Sequence, residues 1–259
     1  MVVNKDLSRI IKIDKNRGLT PNQERLQAIL EYKKYNILRR IELIELIKKH
    51  NISKNPKYLI KSMLIKGRLI SVKRGVYVVI PISSIGKKPL IDELEIVNNL
   101  LKEDYYVGLF NAYNQHGFTE QIPNKLFIFN TKDSADKKIL NYRIKFFKIK
   151  SDKLFGIQEK YPHYSDKERT IIDALNYPEY LGGLSQVLEQ LKDSSFNEKK
   201  LIDYAILYDS NKVIKLVGFL TNSDKLFKIL KKKDALNYYT TIKKTGTRLL
   251  DKKWKLRLI

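Results

Sequence analysis

The apolar positions between Ser53 and Pro81 change period partway along, and that change predicts a helix followed by a strand ribbon. Leu59, Ile60, Met63 and Leu64 recur at helical spacing and predict one buried face. Asn55 before Pro56 predicts the helix start: Asn accepts from a free amide, and Pro needs no donor in the first turn. Gly67 predicts the stop, where the backbone turns left-handed. Leu69 to Lys73 and Val76 to Ile80 are short runs rich in β-branched and aromatic residues, with Arg74-Gly75 as the turn between them. A helix, a tight turn and a two-stranded ribbon with a basic tip form the second half of a winged helix-turn-helix.

The same reading along the chain predicts helices over 22–34 and 38–49 before this stretch. In the second of these, Ile41, Ile44 and Ile47 set the period and Leu43 and Leu46 widen it. Residues 1–20 show no clear period and read as a basic arm or a short extra helix. Ser83, Ser84, Gly86 and Pro89 mark a linker. Helices are then predicted over 91–102 and 107–116, the latter closed by Gly117, and strands over 125–130 and 142–150. Ser165 with Glu168 reads as a capping box opening a helix whose Ile171, Ile172 and Leu175 face inward and whose Arg169 and Asp173 pair on its surface. Pro178 stops it, and Gly182-Gly183 opens another, through about Leu191. Helical runs at 197–208, 211–221 and 223–232 lead to a final strand from Trp254 to Ile259. The fold class is α+β: an N-terminal winged helix-turn-helix with an extension over 1–84, then a mixed α/β domain over 85–259.

Charge sharpens this division. The formal net charge is +23, from 51 basic and 28 acidic residues. Residues 1–84 hold 19 basic and 6 acidic residues, 85–164 hold 13 and 10, and 165–259 hold 19 and 12. Lysine-rich codon usage alone would spread the excess evenly; a peak over the ribbon points to a polyanion partner. The chain has no cysteine, which excludes disulfides and thiolate chemistry, and His50, His116 and His163 show no ligand spacing. No apolar run reaches membrane length and the N-terminus is too polar for a signal peptide, so the expectation is a cytoplasmic protein with no membrane partner and no cofactor or metal.

Candidate contact residues follow from the faces. Lys54, Asn55, Lys57, Tyr58, Lys61 and Ser62 lie opposite the apolar stripe, Lys73 and Arg74 form the ribbon tip, and no acidic residue falls between Asn51 and Pro81. Recognition helices read base edges while neighbouring cations hold phosphates, so double-stranded DNA is the expected partner. RNA is the rival, and a solvated lysine-rich helix the bland reading. Residues 225–259 carry 12 basic and 2 acidic residues. Lys231, Lys232, Lys233, Lys243, Lys244 and Arg248 form a candidate basic surface there, weighed against plain solvation. Tyr105, Tyr106, Tyr113 and Phe118 read as core packing. An enzyme is not expected. Gly182-Gly183-Leu184-Ser185 resembles a nucleotidyltransferase turn but lacks the following strand with paired carboxylates, and Asp92-Glu93-Leu94-Glu95 lies on a helix upstream. Asp193, Glu198 and Lys200 as a metal nuclease set fall in a polar helix start.

Four stretches together carry a family resemblance: KRGVYVV at 73–79, YYVGLFNAYNQHGFTEQIP at 105–123, ERTIIDALNYPEYLGG at 168–183, and KLVGFL at 215–220 before the tryptophan-bearing end. In this order and spacing the chain from about residue 38 resembles the AbiEi family, the antitoxin half of a type IV toxin–antitoxin (abortive infection) system. The resemblance implies an N-terminal domain that represses its own operon by binding inverted repeats in an operator. It also implies a C-terminal domain that counters a nucleotidyltransferase-like toxin. Members without a matching toxin gene resemble plain transcription regulators.

Overall fold

The computed structural model describes residues 18–84, 92–101, 105–140, 142–243 and 248–259. The chain is α+β and divides into two compact units, 1–103 and 104–259.

In the first unit, helix α1 (Pro21–Tyr32) starts where Pro21 follows Thr20, whose amide donates to the Gln23 side chain at 2.9 Å. Strand β1 (Ile37–Arg39), α2 (Arg40–Lys49), α3 (Pro56–Ile65), β2 (Leu69–Lys73) and β3 (Val76–Val79) follow. The three strands form an antiparallel sheet in the order β1-β3-β2. Leu26 and Leu30 of α1, Leu43 and Ile47 of α2, Met63 of α3 and Leu69 of β2 make a core with at most 1% exposure. Gln27 of α1 donates to the Ile80 carbonyl at 2.9 Å, tying α1 to the end of β3.

The helix expected from Leu38 begins two residues later. Leu38 instead pairs with Tyr77, because a free sheet edge satisfies its backbone better than an unanchored helical turn. The buried face of α2 is Leu43, Leu46 and Ile47, whereas Ile41 is 70% exposed. A step of two residues is about 200° around a helix, so Ile41 cannot share the face of Leu43. Ser83 and Ser84 lie in a short helical turn; Gly86 and Pro89 of the expected linker, like residues 1–17, lie outside the described residues. Helix α4 (Glu93–Leu101) belongs to the first unit and packs on β1, with Asn36 donating to Glu95 at 3.1 Å.

The second unit opens with β4 (Tyr105–Val107) and α5 (Leu109–Gln115), where the sequence predicts helix alone from Val107. A four-stranded sheet, β4-β5-β7-β6, then uses β5 (Leu126–Asn130), β6 (Ala135–Ile139) and β7 (Tyr142–Lys148), with β5 and β7 parallel. β6 escapes sequence reading because ADKKI has no apolar alternation; its charges pair across the sheet instead, Asp136 with Lys145 and Lys125. Helices α6 (Lys167–Asn176), α7 (Leu184–Lys192), α8 (Glu198–Tyr208), α9 (Asn211–Thr221) and α10 (Asp224–Lys232) follow close to their expected bounds. A second sheet of order β8-β10-β9 ends the chain: β8 (Thr240–Ile242), β9 (Leu249–Asp251) and β10 (Leu256–Leu258). Trp254, expected in the last strand, sits in the turn before it and is 2% exposed. No helix among the described residues is long and apolar enough to cross a membrane.

α6 is not opened by the expected Ser165–Glu168 box. Asp166 is its cap, accepting from the Arg169 amide at 2.8 Å. The Ser165 hydroxyl meets that of Thr170 at 2.7 Å, and Glu168 accepts from the Asn197 amide at 2.9 Å.

Gly218 explains why α9 and Trp254 belong together. A Cβ at Gly218 would lie 2.2–2.5 Å from three carbons of the Trp254 ring. The substitution Gly218→Ala gains up to about 1 kcal/mol of helix propensity. The overlap with a buried indole costs about 1–3 kcal/mol, and the ring cannot leave a packed core. The net expectation is a destabilised protein with altered Trp254 fluorescence, measured by denaturant unfolding; an unchanged or raised midpoint would show that the contact yields easily.

Candidate nucleic-acid interface

α3 presents its polar face to solvent. Lys54, Lys57 and Lys61 are exposed, and Tyr58 among them is 71% exposed. Two of the expected contact residues have structural duties. The Asn55 side chain caps the helix, accepting from the Tyr58 amide at 3.2 Å. The Ser62 hydroxyl is half-buried; it donates to the Leu59 carbonyl at 2.7 Å and accepts from Gln23 Nε2 at 2.9 Å. Ser62 thus clamps α3 to α1 through Gln23, a residue that the sequence reading passed over. Gln23 is itself 4% exposed, and no periodicity signals a buried glutamine.

Lys73 and Arg74 are exposed at the β2–β3 turn, which Gly75 closes at φ 80°. The Gly75 carbonyl accepts from the Arg40 amide at 2.8 Å, and a bulge between Ser71 and Lys73 increases the local twist. All the ion pairs found among the described residues lie in the second unit. Among the described residues, none of Lys54, Lys57, Lys61, Lys73 and Arg74 forms an ion pair.

The second unit contrasts with this. Arg169 and Asp173 do pair, as their spacing predicts, but not on the surface: both side chains are 0% exposed. Arg169 Nη2 lies 3.1 Å from Asp173 Oδ1 and donates to the Tyr106 hydroxyl at 2.7 Å; that hydroxyl donates to Asp173 Oδ2 at 2.9 Å. The guanidinium also sits over the rings of Phe155 at 4.5 Å and Tyr208 at 5.0 Å. Burial alone would lower the Arg169 pKa, but Asp173, Tyr106 and Tyr208 hold it above its ordinary value. Burial pushes the Asp173 carboxyl up, against the pull of Arg169 and of the Tyr106 hydrogen bond. The cluster is closed to solvent, so it binds the fold together and presents nothing to a partner. Tyr105, Tyr106, Tyr113 and Phe118 are likewise buried, at 0–5% exposure.

The expected C-terminal basic surface is divided. Lys231 and Lys232 are exposed at the end of α10, and Lys233 pairs with Asp209. Lys243 and Arg248 are exposed beside β8 and β9; Lys244 lies outside the described residues. Lys200, set aside above as a metal-site residue, bridges Asp166 and Glu168 at 3.1 Å each. Among the described residues no three His, Asp or Glu side chains are grouped to hold a metal ion.

Two measurements test the buried network. Removing one member of a buried pair strands the other, so Asp173→Ala should lose about 3–5 kcal/mol in denaturant unfolding. Arg169→Met with Asp173→Leu should lose less than the sum of the single changes; strict additivity would mean the two groups do not interact. Glu168 tests acid sensitivity. Burial would raise its carboxyl, but the Asn197 amide and Lys200 hold it below its ordinary 4.5. A depressed carboxylate contributes stability above its unfolded pKa and loses it as pH falls through the folded value. The stability gap between wild type and Glu168→Gln should therefore shrink as pH drops below 4.5. A gap independent of pH would refute the assignment.

No protein-family model matches the chain, and no curated protein matches it. Among solved structures, the crystal structure of the RV2827C protein from Mycobacterium tuberculosis is similar in fold, with a TM-score of 0.64 over 95% of this chain and 94% of that one, at 12% identity.

Proposed function

We propose that the first unit is a winged helix-turn-helix that binds duplex DNA, with α3 as the recognition helix and the β2–β3 ribbon as the wing. The observation that carries this is the exposed, acid-free surface of α3 and the ribbon tip: Lys54, Lys57, Tyr58, Lys61, Lys73 and Arg74, none in an ion pair with a described residue. Cations without internal counter-charge gain by displacing the ions condensed on a phosphate backbone. Tyr58, near the N-terminal end of the helix, is the residue suited to base edges, where apolar contact with a thymine methyl reads sequence. Asn55 and Ser62 support the helix from within.

The chain as a whole we take to be a cytoplasmic, non-catalytic transcription regulator of the AbiEi kind, acting on an operator with inverted repeats and working against a nucleotidyltransferase-like toxin. The four sequence stretches support this. Two of them also occupy constrained positions: KRGVYVV forms the ribbon turn and β3, and the glycine of KLVGFL is the one against Trp254.

The test is duplex binding by the full chain and by the variant Lys57→Glu with Lys61→Glu. Both positions are exposed, so folding should be unaffected, while affinity should collapse and wild-type affinity should fall steeply with salt. Undiminished binding by the double variant, or a complex insensitive to salt, would refute the reading.

A further inference from the structure

We infer that the outward face of the β8-β10-β9 sheet is a second binding surface, and that its ligand is single-stranded nucleic acid. Strand pairing sorts the residues of this sheet onto two faces. Leu256 and Leu258 of β10 are buried and pair with Thr240 and Ile242 of β8, and with Asp251 and Leu249 of β9. Side chains alternate along a strand, and directly paired residues share a face. Thr241, Arg257 and Leu250, which pair across the three strands, therefore lie on the opposite face, and all three are exposed.

The alternation places further residues with them. Tyr239 and Lys243 lie two residues either side of Thr241, and Arg248 lies two before Leu250. Ring contacts give an independent check: Lys255 Nζ is 5.0 Å and the Arg257 guanidinium 5.4 Å from the centre of the Tyr239 ring. The described side chains placed on this face are thus four cations, an aromatic ring, a hydroxyl and an exposed leucine, and none of them is a carboxylate. Asp251 belongs to the other side and accepts from the Trp254 amide at 2.6 Å. Glu179 lines a cleft that Thr241 and Lys243 also line, but forms no ion pair with Lys243.

The other sheet of the same unit matches several of its lysines to carboxylates. There Lys125 and Lys145 share Asp136, and Lys137 pairs with Asp133. On α10 and beside it, Lys225 pairs with Asp203 and Lys233 with Asp209. On the β8-β10-β9 face Lys243, Arg248, Lys255 and Arg257 form no ion pair with a described residue, and like charges this close repel unless an anion joins them. Phosphodiesters supply that anion. The apolar contribution selects the form of the strand. Leu250 is 53% exposed and Tyr239 is half-buried beside the cations. A duplex turns phosphates and sugars toward a flat sheet and keeps its bases stacked inside, which leaves a leucine and a tyrosine nothing to touch. A single strand brings unstacked bases to such groups while its backbone follows the charge.

The test uses the full chain carrying Lys57→Glu and Lys61→Glu, so that the first unit is silent whether or not it binds DNA. Labelled oligo(U) and oligo(dT) of about 12 nucleotides, inside the range one single-strand site covers, are titrated by fluorescence anisotropy at several salt concentrations. Both should bind, and a duplex of the same length should compete poorly. Adding Arg257→Gln and Lys243→Gln should weaken binding and lower the salt slope by about 1.4, at about 0.7 per lost phosphate contact. Arg257→Lys with Lys243→Arg should keep the slope, which separates lost charge from a misfolded sheet. Binding of one strand type alone would still support the face and would identify its source as RNA or DNA. An unchanged slope in the glutamine variant, equal competition by duplex, or no binding of either strand would overturn the inference.

Discussion

The second unit is organised around one guanidinium. Arg169 projects from α6 into a site with no solvent, and a bare cation there would be many kcal/mol too costly to keep. Every neighbour answers that constraint. Asp173 comes from the next turn of the same helix, Tyr106 from β4, Tyr208 from α8, and Phe155 from the loop that leads toward α6. Gly156, at φ 67°, lets that loop approach: a Cβ there would lie 2.8 Å from Arg169 Cβ and from the Tyr204 ring. One buried charge thus fixes the mutual positions of a strand, two helices and a loop.

Charge is handled differently in the two units. In the second, Lys125, Lys137, Lys145, Lys200, Lys225 and Lys233 pair with carboxylates, and Lys215, 0% exposed, donates its amine to the Tyr238 carbonyl and the Thr240 hydroxyl. In the first, the polar face of α3 and the ribbon tip carry cations without acidic neighbours in sequence, and acidic side chains are used elsewhere. Glu31 holds the Ile82 amide and the Gln27 side chain, and Glu42 holds the Arg39 amide. Acidic residues used as backbone caps are fixed by geometry and cannot swing to neutralise a lysine on another face. The basic surface is therefore a product of where the carboxylates are tied as well as of where the lysines are.

Both basic surfaces stand on elements that are held in place from behind, one by a polar clamp and one by an apolar contact. Gln23 and Ser62 register α3 against α1, so that its lysines and Tyr58 leave on one side. Trp254, pressed against Gly218 of α9 and edge-on to Phe227 of α10 at 5.7 Å, anchors the turn from which β10 departs. Each basic face is displayed by an element whose opposite side is locked.

The sequence by itself determined the elements whose signals are local. Helical periodicity, Asn55-Pro56 and the left-handed glycines placed α3, α6 to α10 and the ribbon to within a residue or two, because caps and periods act over a single turn. It also set apart the basic face of α3, since a residue's side of a helix follows from its number. Only the tertiary structure decided the rest. β1, β4, β6, β8 and β9 exist because a partner strand offers hydrogen bonds, and short runs such as ADKKI carry no period of their own. The Arg169–Asp173 spacing predicted a pair but not its depth, since i to i+4 geometry is the same in water and in a core; Tyr106, more than sixty residues upstream, made the difference. The outward face of the last sheet was hidden for the same reason: Tyr239, Arg248, Leu250 and Arg257 become neighbours only when β8, β9 and β10 align.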